Sequence, residues 1–265
     1  MRSPRLWLPA AAVLASAVVL ATRCTKEEPA APAPAPAPVT APAPVTTPAP
    51  APVPSKGTAS ITGEVKLEGA PPEMQPLKRG VDPVCARTQM NDEQVLSRNG
   101  KLQNVVIWIS EGAAAAPAPA TPARVEQRDC MYRPRVQAVQ DGQVLEVHNA
   151  DTTLHNVRAM RDGKNQFNKA QLPGGPDLKE TVQDGKLLQL KCDVHPWMKA
   201  YAVVVPNGFS AVTGEDGRFT LQGLPAGKLT LTAWHELFGT KTVQVTLEDG
   251  HAAPVTVTFS AQDRG

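Results

Sequence analysis

From Gly57 onward the chain sets out apolar and polar residues in short alternating runs, with no sustained helical spacing. Ala59 to Leu67 places apolar or small side chains at every second position, the period of a half-buried strand. Gly69-Ala70-Pro71-Pro72 ends that run. Val105 to Ile109 is continuously apolar over strand length, which fits a strand buried on both faces. Val136 to Val139 and Val144 to Val147 flank a turn at Asp141-Gly142. Further strands are predicted over 187–190, 202–205, 218–221, 228–234, 242–247 and 255–259. Turn signals at Glu215-Asp216-Gly217 and Pro225-Ala226-Gly227 separate several of them. Many short strands at this spacing predict an all-β chain of antiparallel sandwiches.

Composition divides the 265 residues into unlike parts. Eleven of the 27 prolines fall in 29–54, an alanine-proline tract that excludes helix and sheet. It predicts a disordered, extended linker over 25–56, a spacer of about 3.1 Å per residue where polyproline II forms. Ala113 to Ala123 is a shorter tract of the same kind, predicted as a surface loop. Before the linker, Arg2 and Arg5 precede an apolar run from Leu6 to Ala21. That is the layout of an export signal, and the run is short for a spanning helix. The junction Ala21-Thr22-Arg23-Cys24 resembles a bacterial lipoprotein signal, which implies a signal over 1–24 and lipidation at Cys24. Arg23 stands where that pattern prefers a small residue, so cleavage after Ala15-Ser16-Ala17 and an uncleaved anchor stay open. The expected location is the periplasm or cell surface, with the membrane met only through the N-terminal lipid anchor. A net charge of +2 argues against a nucleic-acid partner, which needs a concentrated basic face.

The chemistry is densest in Cys192-Asp193-Val194-His195-Pro196-Trp197-Met198. Thiolate, imidazole and thioether recur every third residue, and one tight loop between strands can deliver all of them to a copper ion. A second imidazole must come from elsewhere. His155, in Asn149-Ala150-Asp151-Thr152-Thr153-Leu154-His155-Asn156-Val157, follows a predicted strand. Together these segments resemble the cupredoxins, most closely amicyanin, over roughly Arg124 to Pro206. The resemblance implies one type 1 copper held by His155, Cys192 and His195, with Met198 as weak axial ligand. It implies that the histidines bind through Nδ1, that Asn156 braces the cysteine loop beside Pro196, and that His195 lies near an apolar patch where redox protein partners dock. Lys191 and Asp193 stand where the family has an aromatic residue and a threonine or serine. Aimed inward, the Asp193 carboxylate would favour Cu(II) and lower the potential.

Of the four cysteines, Cys24 suits lipid and Cys192 suits metal. Cys85 and Cys130 remain, as a disulfide in an exported chain or as two buried thiols. The disulfide is the expectation. His148 is expected at the surface, His251 in a turn, and His235 in a structural role at a strand end.

Ala211 to Leu221 with Leu224 to Leu231 resembles the carboxypeptidase regulatory-like domains, which are non-catalytic transthyretin-like sandwiches. That family's opening Gly-x-Val-x-x-x-Gly is matched far upstream, at Gly63 to Gly69. The expected architecture is therefore a cupredoxin-like Greek-key β-sandwich over 123–206, inserted into an immunoglobulin/transthyretin-like sandwich formed by 57–112 and 207–262. One continuous sandwich is the alternative. No Gly-x-Ser-x-Gly, phosphate loop, His-Glu-x-x-His or His-x-His pair occurs, so an enzyme is not expected. The function expected is exported one-electron carriage by copper. The alternative is a tethered, non-redox module that stores copper or holds none.

Overall fold

The computed structural model describes residues 57–184 and 187–265; the export signal, Cys24 and the Ala/Pro linker lie outside the described residues. Every regular element there is a strand, apart from one 3-10 turn at Cys85–Arg87. The first strands are β1 (Ala59–Glu68), β2 (Ser97–Arg98), β3 (Lys101–Leu102), β4 (Val106–Glu111), β5 (Ala123–Arg128) and β6 (Met131–Arg133). Then come β7 (Val136–Gln140), β8 (Val144–Asn149), β9 (His155–Arg161), β10 (Lys164–Gln171), β11 (Leu178–Thr181) and β12 (Leu187–Lys191). The chain ends with β13 (Lys199–Val205), β14 (Ser210–Val212), β15 (Arg218–Leu224), β16 (Gly227–His235), β17 (Gly239–Leu247) and β18 (Ala252–Ser260).

Four sheets enclose two main cores. One sheet runs β10-β9-β12-β13-β7 and faces a second, β11-β8-β5-β6, across a core that includes Val139, Leu145, Val157 and Leu190. The sheet β14-β4-β16-β17 and the sheet built on β1 enclose the other core, around Ile61, Ile107, Leu231 and Phe259. Ile61 and Phe259 are fully buried, and burial of such a side chain contributes about 1.5–3 kcal/mol. A third cluster, with Val136, Tyr201 and Val203 on one side and Val106 and Trp234 on the other, joins the two halves.

Strand β1 shows how alternation sets the pairing. Ile61 lies opposite Leu221 of antiparallel β15 and beside Ala253 of parallel β18. Strands from before and after 123–206 thus share one sheet. Gly63 is required there: a Cβ would lie 2.3 Å from the Val255 carbonyl oxygen and 2.5 Å from the Phe219 ring.

The pattern predicts antiparallel pairing, but β1–β18, β5–β8 and β7–β13 are parallel. Each joins strands that are not consecutive, and local alternation carries no information about their relative direction. The segment between β1 and β2 also leaves its own sheet. Cys85 packs in the core with Val139 and Leu145, and Glu93 receives Arg133 Nη2 at 2.8 Å.

His235, at the end of β16, is fully buried and stacks on Phe238 with ring centroids 4.7 Å apart. Its Nδ1 accepts from the backbone N–H groups of Leu237 (3.2 Å) and Phe238 (3.4 Å), which fixes the neutral Nε2–H tautomer. Burial, and then the Arg135 charge, push its pKa down to about 4. The unfolded chain binds this proton near pH 6.5 and the folded chain only near pH 4, so stability falls as pH drops through that window. The loss reaches about 3 kcal/mol at 1.36 kcal/mol per pH unit. Urea unfolding from pH 4 to 7 should show that slope, and His235→Phe should flatten it.

Candidate metal centre

The turn before β9 is built by Asn149, whose side chain accepts from the Asp151 N–H at 3.0 Å. The same side chain donates to the carbonyls of Thr153 and Gln171, both at 3.0 Å. That turn delivers His155 as the first residue of β9. Strand β12 lies between β9 and β13, so Cys192, directly after β12, emerges beside His155. The loop back to β13 closes on itself: Met198 N–H donates to the His195 carbonyl at 2.9 Å, and Cys192 N–H to the Met198 carbonyl at 3.4 Å. Pro196 sits exposed in this loop, where no N–H is needed.

Asn156 joins the two segments. Its side-chain oxygen accepts from Asp193 N–H at 2.5 Å, and its backbone N–H lies 3.5 Å from Cys192 Sγ. Tyr132 Oη donates to the Asn156 carbonyl at 2.8 Å and lies 3.1 Å from that of Lys191. Below the loop, Cys85 and Cys130 form the expected disulfide, with sulfurs 2.04 Å apart.

The structure brings His155, Cys192 and His195 together, all buried, with ligand atoms within 4.8 Å of one another. The two Nδ1 atoms are 2.9 Å apart, and Cys192 Sγ is 3.8 Å from Nδ1 of His195. Met198 is fully buried in the same core and closes the loop. Behind each imidazole stands a carboxylate: Asp151 Oδ2 is 2.8 Å from His155 Nε2, and Asp82 Oδ2 is 3.0 Å from His195 Nε2. These oxygens only accept, so both Nε2 atoms carry hydrogen and both Nδ1 lone pairs face inward. Two lone pairs 2.9 Å apart repel unless a cation, a proton or a metal ion, lies between them.

The titration of the three groups follows from their neighbours. Burial pulls His155 down, but hydrogen bonding with Asp151 and Cys192 outweighs it and its pKa is raised. His195 is lowered: burial dominates, and the charge of His155 adds to it against the pull of Asp82. Burial alone would raise Cys192; the hydrogen bond with His155, then the backbone N–H groups of Asn156, His195 and Val194, hold it below its usual value. A thiol inclined to ionise, facing two inward imidazole lone pairs, is a donor set that fits copper.

Other expectations differ in detail. Asp193 does not aim at the sulfur. It is exposed and accepts from Asn168 Nδ2 at 2.8 Å and Arg158 Nη1 at 3.3 Å. Its direct electrostatic effect on the thiolate is correspondingly screened. His195 itself has no exposed surface, although Val194 and Pro196 beside it do. His148 is partly exposed and bonded to Asp177 at 2.7 Å, and His251 is exposed in its turn. Sequence reasoning missed Asp82, Asp151 and Thr153. Asp151, four residues before His155, offers a faint signal; Asp82, 113 positions from His195, offers none.

Residues 199–260 match the carboxypeptidase regulatory-like domain family. The match begins with β13, which hydrogen-bonds in the sheet that carries Cys192, and continues through strands of the other half. No relative among the curated proteins matches the chain. Among solved structures, a purple cupredoxin from Nitrosopumilus maritimus is similar to 31% of this chain over 98% of its own, at 20% identity and TM-score 0.28. Amicyanin from Paracoccus versutus is similar to 37% of this chain over 96% of its own, at 20% identity and TM-score 0.29. A copper-containing nitrite reductase from Thermus scotoductus is similar to 37% of this chain over 25% of its own, at 21% identity and TM-score 0.28.

Proposed function

We propose that this chain is an exported type 1 copper protein that carries single electrons and is not an enzyme. The observation that carries this reading is the pair of Nδ1 atoms 2.9 Å apart beside the Cys192 thiol, each imidazole backed by a carboxylate. His155, Cys192 and His195 would hold the ion, with Met198 as the weak fourth donor. Copper, when bound, supplies one-electron chemistry between Cu(I) and Cu(II). The protein's residues fix the donor positions beforehand: Asn156 ties β9 to the cysteine loop, and the carboxylates lock both rings. A frame that stays put in both oxidation states keeps reorganisation small.

Exposed Val81, Leu154 and Val194 adjoin Asp82, His155 and His195 in sequence, which supports a small apolar docking face for redox protein partners at this end. The second sandwich is taken as a non-catalytic module, interrupted in sequence by the copper sandwich. The disulfide supports an oxidising compartment, the periplasm or cell surface, with Cys24 as the lipid anchor. Complete burial of His195 favours a second reading, copper storage without electron exchange.

The test is to titrate the full chain with Cu(II), Cys192 reduced and the disulfide intact. An intense visible thiolate-to-copper band at one equivalent, absent in Cys192→Ser, is expected. A colourless wild type overturns the copper reading. A coloured protein that does not cycle reversibly at an electrode leaves storage as the function.

A further inference from the structure

The edge of His195 that faces away from the thiol is closed by a strap that the proposed electron-carrier role does not require. The strap runs from Arg79 past Asp82 to Thr88, and the Cys85–Cys130 disulfide staples it to the start of β6. Arg79 holds it as well, donating through Nη1 to the Thr88 carbonyl at 2.9 Å and through Nη2 to the Asp129 carbonyl. Asp82 is oriented from several sides. Its Oδ1 accepts from Val84 N–H at 2.7 Å and from Cys85 N–H at 3.4 Å. Its Oδ2 accepts from Thr153 Oγ1 at 2.7 Å and faces His195 Nε2 at 3.0 Å. Thr153 belongs to the turn that delivers His155, so one carboxylate ties the strap to both ligand segments.

We infer that Asp82 is a positioning residue for the metal ligand His195, holding the ring in its Nε2–H tautomer with Nδ1 aimed at Cys192 and His155. This rests on the copper reading and adds to it a determinant of metal retention that lies outside the ligand loop. A carboxylate behind a ligating imidazole fixes its rotation and increases its donor strength. With Asp151 playing the same part behind His155, the centre gathers two carboxylates and a thiolate around one ion. That excess of negative charge favours the more positive oxidation state.

The experiment compares the full-length wild type with Asp82→Ala, Asp82→Asn and Thr153→Val. In the metal-free chain, imidazole nitrogen NMR shifts should report the Nε2–H tautomer for His195 in the wild type and a mixture in Asp82→Ala. After Cu(II) loading, release to excess chelator should quicken about ten- to a hundred-fold in Asp82→Ala. Asp82→Asn keeps an acceptor but loses the charge. Because its single oxygen can serve either the Val84 and Cys85 N–H groups or the ring side, it should preserve the tautomer only in part, release copper at a rate between those of the wild type and Asp82→Ala, and raise the reduction potential above that of the wild type. Thr153→Val, which leaves the ring's partner in place, should keep the tautomer. Equal disulfide content and thermal midpoint in all four proteins show that each is folded. A wild type with no Cys192-dependent band overturns the copper reading and this inference with it. A coloured wild type whose Asp82→Ala form keeps the tautomer and the release rate overturns this inference alone.

Discussion

Arg135→Ala is expected to cost about 3–5 kcal/mol of unfolding free energy, because it strands a buried carboxylate. Arg135 directly precedes β7, and Glu236 directly follows β16, so the pair spans the two halves of the molecule. The guanidinium meets the carboxylate with two nitrogens, Nη2 lying 2.8 Å from Oε2. The two side chains are only 3% and 1% exposed, so neither charge is hydrated while the pair is intact. Coulomb attraction alone does not make such a pair stabilising, since both charges had to leave water to form it. Arg135→Met combined with Glu236→Leu should therefore recover most of the loss, the sign of an unpaired charge rather than of lost packing. Arg135→Lys should fall between, having one ammonium in place of a planar fork. Urea unfolding followed by fluorescence reads the result, since Trp234 packs on Tyr201 at this junction, centroids 5.3 Å apart. A loss below about 1 kcal/mol in Arg135→Ala would mean that the carboxylate is rehydrated or neutral.

Individual strands and side chains show what sequence can and cannot convey. Strand β15, RFTLQGL, reads directly as a strand because its burial alternates with its composition. Strand β10, KNQFNKAQ, carries no apolar period, since it is the exposed edge beside β9, and only the pairing reveals it. The Cys192–Met198 loop is legible because its chemistry is local: neighbours in sequence remain neighbours in space. The carboxylates are not, because Asp82 reaches His195 across 113 positions and through a disulfide that composition could only suggest. Asp193 was legible as a residue but not as an orientation, which Arg158 of β9 and Asn168 of β10 decide.

Cys85→Ala/Cys130→Ala should lower stability by about 4 kcal/mol, the loop-closure entropy of a cross-link spanning 45 positions. For a folded region of this size the thermal midpoint falls by roughly 2–4 °C per kcal/mol, giving a drop of roughly 8–16 °C. Both cysteines are buried in the core, so two alanines also leave a small cavity, and lost packing adds to the freedom gained by the unfolded chain. A second consequence separates this variant from Arg135→Ala. The disulfide staples the strap that carries Asp82, so its loss should also speed copper release toward the rate of Asp82→Ala. Arg135→Ala, acting at the junction with the other half, should destabilise the fold while leaving the visible band and the release rate unchanged. If the cysteine variant melts lower yet releases copper at the wild-type rate, the strap is held by Arg79 and Thr153 alone, and the disulfide serves only the fold.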